Sequence, residues 1–272
     1  MNQPLQDHTI VVTGASSGIG QAIAVAAAAA GANVLIHYRK NESGARTTLA
    51  ACQRFKVESK IIEGDIAIAA DRDRLIESAF EWSKERVSAW INNAGADVLT
   101  GKNQLLTFEQ KLDLLWDVDV RSTLLLSRKV MERFYSTTPH DDHLPSMIFV
   151  GWDQAHLGME GEPGQLFGTI KGAVMAMANN FAQDARDRVR VNCIAPGWIR
   201  TAWGHEASDE WQDRAVRESL LRRWGTAQDV AAAAVFLCSN QASFIHGQVI
   251  PVNGGRVQGC SVPSKISYTS RG

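Results

Sequence analysis

The residues best suited to bind a ligand are three glycines near the start of the chain, Gly14, Gly18 and Gly20. They follow the apolar run 10–12 and precede an alanine-rich stretch that ends at Ala30, which is typical of a strand, a tight turn and a helix N-terminus. The N–H groups and positive dipole end of a helix N-terminus attract a phosphate, and glycine lets the backbone approach it closely. The pattern therefore predicts a phosphate-binding turn. A βα turn whose glycines serve packing alone is the alternative.

Seven short apolar segments alternate with amphipathic or alanine-rich segments along the chain. Alternation of strands and helices predicts an α/β fold with a parallel sheet and helices on both faces. No change in composition divides the sequence, so we expect one domain over residues 1–256 and a tail over residues 257–272. The predicted strands are 9–13, 33–37, 59–62, 88–91, 147–150, 190–194 and 248–252, and the predicted helices are 18–30, 43–55, 71–84, 109–135, 167–184 and 226–239.

A doubly wound sheet binds its ligand at the loops that follow the carboxyl ends of its strands. Trp152, Trp198 and Trp203 fall in such loops and predict a flat pocket for a planar or apolar substrate, with His156 beside it. Packing within the loops is the alternative for the tryptophans, and a solvated position is the alternative for His156. Residues 201–212 are a candidate lid or an ordered surface helix. The predicted loops are 13–20, 38–41, 65–66, 92–99, 151–166 and 195–206.

Composition excludes several classes of protein. The 272 residues include 28 basic and 29 acidic side chains, a balance that argues against a nucleic-acid partner. No apolar run reaches the roughly 18 residues of a membrane helix, and residues 1–8 lack the regions of a signal peptide. Cys52, Cys193 and Cys238 are expected to be reduced core residues, whereas Cys260 lies in the tail. We therefore expect a cytoplasmic protein with no metal site and no membrane partner.

Five motifs in a fixed order resemble those of the short-chain dehydrogenases/reductases. The resemblance runs from Thr9 to Gly255. It implies a Rossmann-type, doubly wound, seven-stranded parallel sheet, oxidoreductase activity on a small molecule, and a homo-oligomer, usually a tetramer. With all five motifs present, packing alone no longer explains the glycine turn. The motifs are TGASSGIG at 13–20, DI at 65–66, NNAG at 92–95, PGWIRT at 196–201 and GQVIPVNGG at 247–255.

The resemblance also implies contacts with a nicotinamide dinucleotide. The turn at 14–20 would hold the pyrophosphate, and residues 65–66 the adenine. Residues 93–95 would lie along the adenine ribose, and residues 196–201 on the nicotinamide side. The residues so implied are Gly14, Ser16, Ser17, Gly18, Ile19, Gly20, Asp65, Ile66, Asn93, Ala94, Gly95, Lys171, Pro196, Gly197, Ile199 and Thr201.

The end of the second strand predicts which dinucleotide binds. Family members that prefer NAD carry an acidic residue there, which binds the ribose 2′-hydroxyl. Here the position is Tyr38, followed by Arg39 and Lys40. No carboxylate would repel a 2′-phosphate, and a guanidinium can pair with one. We therefore expect NADP(H), with ordinary surface charges as the alternative for Arg39 and Lys40.

The catalytic residues that the family uses are largely replaced in this chain. The family's Tyr-x-x-x-Lys pair reads Phe167 to Lys171, which keeps the amine and loses the hydroxyl. The family's asparagine falls on Asp119. Its serine falls on Trp152 when counted from the fifth strand and on Gln154 when counted back from Phe167. Because a positioned acid contributes about 10²- to 10⁴-fold in rate, this loss removes the usual proton source.

Other groups could supply the proton. The candidate donors are Asp153, His156 and a water held by Lys171. Asp119 could hydrogen-bond to Lys171. A turn-capping carboxylate is the alternative for Asp153, and a structural role is the alternative for Asp119. The sequence is therefore compatible with three functions. The first is an NADP(H)-dependent oxidoreductase with an altered proton relay, and the second is a binding protein that has lost catalysis. The third, with nothing specific in its favour, is a non-redox lyase or isomerase.

Overall fold

The structure, a computed structural model, describes residues 3–137 and 143–257. Its centre is one parallel sheet of seven strands in the order β3-β2-β1-β4-β5-β6-β7. From β1 the chain adds β2 and β3 on one side of the sheet and then β4 to β7 on the other, as in a doubly wound sheet. All seven predicted strands are confirmed. They are β1 (Thr9–Val12), β2 (Asn33–Tyr38), β3 (Ser59–Glu63), β4 (Ala89–Asn92), β5 (Ser146–Val150), β6 (Arg190–Pro196) and β7 (Val249–Val252).

Helices cover both faces of the sheet and bury two apolar cores. Side chains of α3, α5 and α6 form the core on one face. Side chains of α1, α2 and α9 form the core on the other, and alanines let α1 and α9 pack closely. The helices are α1 (Gly18–Ala29), α2 (Glu42–Gln53), α3 (Ala69–Trp82), α4 (Phe108–Leu115), α5 (Thr123–Ser136), α6 (Gly161–Ala185), α7 (Ala202–Glu206), α8 (Asp209–Glu218) and α9 (Ala227–Cys238).

Two helical predictions need correction. The predicted helix 109–135 is α4 and α5 joined by a π-helical segment, Trp116–Ser122, and that segment carries Asp119. The predicted loop 151–166 ends early, because α6 begins at Gly161 rather than Phe167. Pro163 lies in the first turn of α6. Proline is tolerated there because N–H groups in the first turn make no hydrogen bond within the helix. Phe167 and Lys171 therefore project from the interior of a long helix.

The remaining predictions about the chain concern its cysteines and its tail. Cys52, Cys193 and Cys238 are buried and free, as expected. Cys260 and nearly all of the predicted tail lie outside the described residues. Within residues 3–137 and 143–257, no helix combines the length and the apolar character that a membrane span requires.

Candidate active site

A cavity of about 820 Å³ opens at the carboxyl ends of the strands. Most of the residues predicted for the site line it together. Tyr38, Asp153 and His156 are not among the lining residues. The predicted residues that line the cavity are Gly14, Ser16, Ser17, Gly18, Ile19, Gly20, Arg39, Asp65, Ile66, Asn93, Ala94, Gly95, Asp119, Trp152, Phe167, Lys171, Pro196, Gly197, Trp198, Ile199, Thr201 and Trp203.

The glycine turn is packed too tightly for other residues. Gly14 has a φ of 63°, and a Cβ there would lie 2.8 Å from the Cα of Ala94. A Cβ on Gly20 would lie 2.4 Å from Nδ2 of Asn93 and from the carbonyl oxygen of Gly14. The Thr13 hydroxyl accepts the N–H groups of Asn93 and Ala94, each at 3.0 Å. The turn is therefore fixed against the end of β4.

The start of α1 fits a phosphate. Ser17 is the N-cap residue, yet its side chain accepts no hydrogen bond from the helix. N–H groups in the first turn of a helix lack helical partners, and here no capping side chain takes their place. Gly18, the first residue of the helix, has a φ of 55°, and all three glycines of the turn line the cavity. The residues present thus fit the pyrophosphate of a dinucleotide.

His37 braces the same turn, and the sequence analysis missed it. The Gly14 N–H donates to Nδ1 of His37 at 3.3 Å, and Nε2 lies 3.0 Å from the Gly64 carbonyl oxygen. This arrangement places the proton on Nε2 of a neutral imidazole. Burial disfavours the charged form and lowers the pKa of His37 from 6.5 to about 4. A neutral histidine therefore ties the turn to the residue that follows β3.

The far end of the cavity, beside β2, carries positive charge. Arg39 and Lys40 both line it. The Arg39 guanidinium is 42% exposed and lies 3.8 Å from the Asp65 carboxylate, a loose pair that leaves it accessible. The other Asp65 oxygen accepts the Ala67 N–H at 3.0 Å. Tyr38, a predicted cofactor contact, is buried in the core instead, because side chains alternate faces along a strand.

An ion pair lies on the floor of the cavity. Lys171 Nζ is 3.0 Å from Oδ2 of Asp119, and the carboxylate is only 2% exposed. Oδ1 of Asp119 accepts the Ala96 N–H at 2.7 Å, which ties the π-helical segment to the loop after β4. Lys171 also approaches the Val150 carbonyl oxygen at 3.4 Å. The ammonium group is thus held at the cavity by three elements of the fold.

Aromatic rings stand beside this ion pair. Phe167 and Trp152 pack edge to face with their ring centroids 6.4 Å apart, and both line the cavity. Gln154, the alternative position for the family's serine, is buried elsewhere and reaches toward Glu218 at 3.4 Å. Of the two positions left open by the sequence, only Trp152 therefore faces the cavity.

The other proton donors suggested by sequence do not reach the cavity. Asp153 is buried beneath the Pro196–Gly197 turn, where its Oδ2 accepts from Asn253 at 3.0 Å. Burial raises the pKa of the Asp153 carboxyl. His156 is exposed at the surface. The expectation that either side chain is presented to a substrate is thus at odds with its position, since neither residue lines the cavity.

Four tryptophans form a cluster, and three of them line the cavity. Trp198 and Trp203 stack at 6.2 Å, and Trp211 lies 5.5 Å from Trp198. Trp224 packs behind them, 6.1 Å from Trp198. The predicted lid at 201–212 is built of α7 and the start of α8, which carry Trp203 and Trp211. Several lining residues lie in the predicted loops or the candidate lid without having been singled out there: Asn41, Ala96, Asp97, Leu99, Gly151, Met159, Pro163, Ala202 and Trp211. The lining residues that sequence reasoning missed altogether are His37, Gly64, Asn103, Val118 and Val150.

Comparisons with known proteins agree with this architecture. A family model described as enoyl-(acyl carrier protein) reductase matches residues 14–256. The chain is 31% identical over 258 residues to 3beta-hydroxysteroid dehydrogenase 1 of Eggerthella lenta, covering 94% of this chain and 95% of that one.

Two solved structures share the fold. A 7 alpha-hydroxysteroid dehydrogenase complexed with NADH and 7-oxo glycochenodeoxycholic acid has a TM-score of 0.82 and 27% identity, over 95% of this chain and 97% of that one. A short-chain dehydrogenase of Burkholderia cenocepacia in complex with NADP has a TM-score of 0.80 and 25% identity, over 93% and 98%. The chain belongs to the short-chain dehydrogenase/reductase family of oxidoreductases.

Proposed function

We propose that this protein is an NADP(H)-dependent oxidoreductase that interconverts a carbonyl compound and its alcohol through an altered proton relay. The observation that carries the proposal is the position of the Lys171–Asp119 ion pair, on the floor of the same cavity as the glycine turn. Membership of a family that acts on carbonyl and alcohol groups supports the reaction class. One structural relative is complexed with NADP, which supports the proposed cofactor, and another is complexed with NADH. The preference for NADP(H) is therefore proposed on the basis of Arg39 and Lys40.

Arg39 is the residue proposed to favour NADP(H). Its guanidinium lines the cavity at the end of β2, and its loose contact with Asp65 leaves donors available. A guanidinium binds a phosphate through two parallel charge-assisted hydrogen bonds. The described residues that line this end include no carboxylate other than Asp65, which is already held by the Ala67 N–H.

Lys171 is the residue proposed to deliver the proton. When bound, the nicotinamide supplies the hydride, and the oxygen of the reduced carbonyl then needs a proton. The Lys171 ammonium gives that proton directly or through one water and regains it from solvent. The Asp119 carboxylate holds the ammonium at the cavity. Phe167 and Trp152 exclude water from one side of the reacting group.

A binding protein without catalysis is the second candidate. It is favoured by the side chains of the cavity, because the hydroxyl groups among its described lining residues belong to Ser16, Ser17 and Thr201 and none belongs to the region of Phe167. Such a protein would hold NADP(H) or a metabolite as a sensor or as the partner of an active relative.

Turnover separates the two candidates. NADPH oxidation is followed with aldehydes, ketones, quinones and pterins, after NADPH binding has been verified by tryptophan fluorescence. The proposal expects measurable turnover by the wild type and its loss in Lys171→Met. Asp153→Asn should leave turnover unchanged, because Asp153 lies outside the cavity. Binding without turnover, together with gain of turnover in Phe167→Tyr, would identify the binding protein instead.

A homo-oligomeric state and a cytoplasmic location remain predictions from the sequence. Light scattering during size-exclusion chromatography tests the first, with a mass above the 29.7 kDa of the chain as the expected result.

A further inference from the structure

The inference concerns the substrate, and it rests on the proposed function in that it places the substrate in the same cavity. Large apolar side chains line the cavity that holds Lys171. Trp152, Phe167, Trp198, Trp203 and Trp211 all line the cavity, together with the apolar side chains of Met159, Pro163 and Pro196. Aromatic faces arranged in this way favour a flat ligand, since stacked and edge-to-face contacts need a planar partner.

The tryptophan wall is held in place by an acidic residue at the end of α8. Oε2 of Glu218 accepts the Trp198 indole N–H at 2.9 Å. The same oxygen receives the Gln154 amide at 3.4 Å, so that the loops after β5 and β6 share one acceptor. The indole plane of Trp198 is therefore set by the protein and does not need a ligand to orient it.

Arg214 closes this network from the outside. Its guanidinium donates to Glu218 at 2.7 Å and to Glu160, just before α6, at 2.7 Å. It also lies over the rings of Trp198 and Trp211, at 5.8 Å and 5.0 Å from their centroids. The faces of these rings on the Arg214 side are thus already occupied by a cation.

Two cations beside the aromatic walls are paired within the protein. Lys171 is paired with Asp119, and Arg214 is paired with Glu218 and Glu160. The Asp97 carboxylate, which also lines the cavity, accepts the N–H groups of Leu99 and Thr100 at 2.8 Å and 3.1 Å. Among the described residues that line this part of the cavity, Lys171 thus already has an anionic partner, and the Asp97 carboxylate already accepts two backbone hydrogen bonds.

From these observations we infer that the substrate is a flat, uncharged carbonyl compound, aromatic or polycyclic, that stacks between Trp152 and Phe167 on one side and the Trp198–Trp203 wall on the other. A charged group on such a molecule loses its hydration without gaining a partner, which is costly. A saturated ring system of the same size loses the planar contacts. The cofactor's charged groups bind at the opposite end, beside Arg39 and the glycine turn.

The test is a binding comparison made with NADP⁺ present, so that no aldehyde can be reduced. The probes are naphthaldehyde, decalin carbaldehyde, formylnaphthoate, and a naphthaldehyde that bears a trimethylammonium group. Isothermal titration calorimetry should give naphthaldehyde an affinity about tenfold or more above each of the other three. Equal or tighter binding of a charged or a saturated probe overturns the inference, and so does the absence of binding by every probe.

Two variants make the test specific to the aromatic walls. Trp152→Leu keeps an apolar side chain and removes the flat one, and it should weaken naphthaldehyde binding about three- to tenfold. Trp116→Leu is the matched control, because Trp116 is 49% exposed and does not line the cavity, and it should leave the affinity unchanged. An unchanged affinity in Trp152→Leu overturns the inference.

NADP⁺ binding by each variant reports that the variant is folded. It also separates this inference from the proposed function. A chain that binds NADP⁺ and naphthaldehyde but never oxidises NADPH contradicts the proposed reaction and leaves the substrate class standing. A chain that turns over only charged or saturated substrates contradicts the inferred substrate class and leaves the proposed reaction standing.

Discussion

The two ends of the cavity are built from different parts of the chain. The cofactor end is made of backbone, since the glycine turn and the start of α1 line the cavity and the first N–H groups of α1 have no capping side chain. The substrate end is made of large side chains, with four tryptophans, one phenylalanine and one ion pair. A backbone site tolerates few substitutions and specifies one ligand, whereas a side-chain site can change its chemistry without loss of the fold.

The largest effect is expected at the backbone end, in Gly14→Ala. The added Cβ meets the Cα of Ala94 at 2.8 Å, and the φ of 63° is strained for alanine. Strain and overpacking together should lower the free energy of unfolding by about 2–5 kcal/mol, and NADP⁺ binding should be lost. Urea denaturation and calorimetry measure the two effects.

Gly172→Ala is the matched control for Gly14. It lies in α6, and a Cβ there meets nothing within 4 Å. Alanine is favoured over glycine in a helix interior by about 0.5–1 kcal/mol, so this variant should be at least as stable as the wild type and bind NADP⁺ equally well. If Gly14→Ala behaves like Gly172→Ala, the turn is not as constrained as described.

The substrate end should lose stability when its acceptor is removed in Glu218→Leu. The change leaves the Trp198 indole N–H, the Gln154 amide and the Arg214 guanidinium without their shared partner. Unsatisfied groups of this kind cost about 2–3 kcal/mol in the free energy of unfolding. Near-ultraviolet circular dichroism should also change, because Trp198 stacks on Trp203. An unchanged spectrum would show that Glu218 does not set the tryptophan wall.

Acidification should weaken the cofactor end through His37. Burial lowers the pKa of His37 from 6.5 to about 4, so the unfolded chain takes up this proton at a higher pH than the folded chain does. The stabilisation is complete above the unfolded pKa and is lost as the pH falls toward the folded one. The loss between pH 7 and pH 5 should be about 2 kcal/mol.

The matched variant for this prediction is His37→Asn, which cannot take up the proton. Urea denaturation of both proteins at the two pH values isolates the histidine from other titrating groups. The variant should show the smaller fall in stability. Equal falls in the two proteins would place the acid sensitivity elsewhere.

The smallest effect is expected in Arg39→Ala. Removing the guanidinium should weaken NADP⁺ binding by about tenfold, a value below that of a buried pair because Arg39 is 42% exposed. NAD⁺ binding should not change, since NAD⁺ carries no 2′-phosphate. Arg46→Ala serves as the control, because Arg46 pairs with Glu42 on the surface of α2. Equal losses for both dinucleotides would remove Arg39 as the source of the preference.

The comparison of the two ends also explains what the sequence could predict. Motifs of glycine and small residues report backbone geometry, so Gly14, Gly20 and the seven strands were all predictable from local pattern. Asp153 was misplaced because the turn that buries it depends on Asn253, a residue 100 positions away. His37 was missed for a similar reason, since its partners Gly14 and Gly64 lie on two other loops.

Fluorescence titration with NADPH and NADH tests the central claim most directly. Trp198 and Trp203 line the same cavity as the glycine turn, so a bound reduced nicotinamide should quench their emission. The account predicts saturable quenching by NADPH, with tighter binding than NADH and loss of the signal in Gly14→Ala. An absence of saturation with either dinucleotide at millimolar concentration would contradict it.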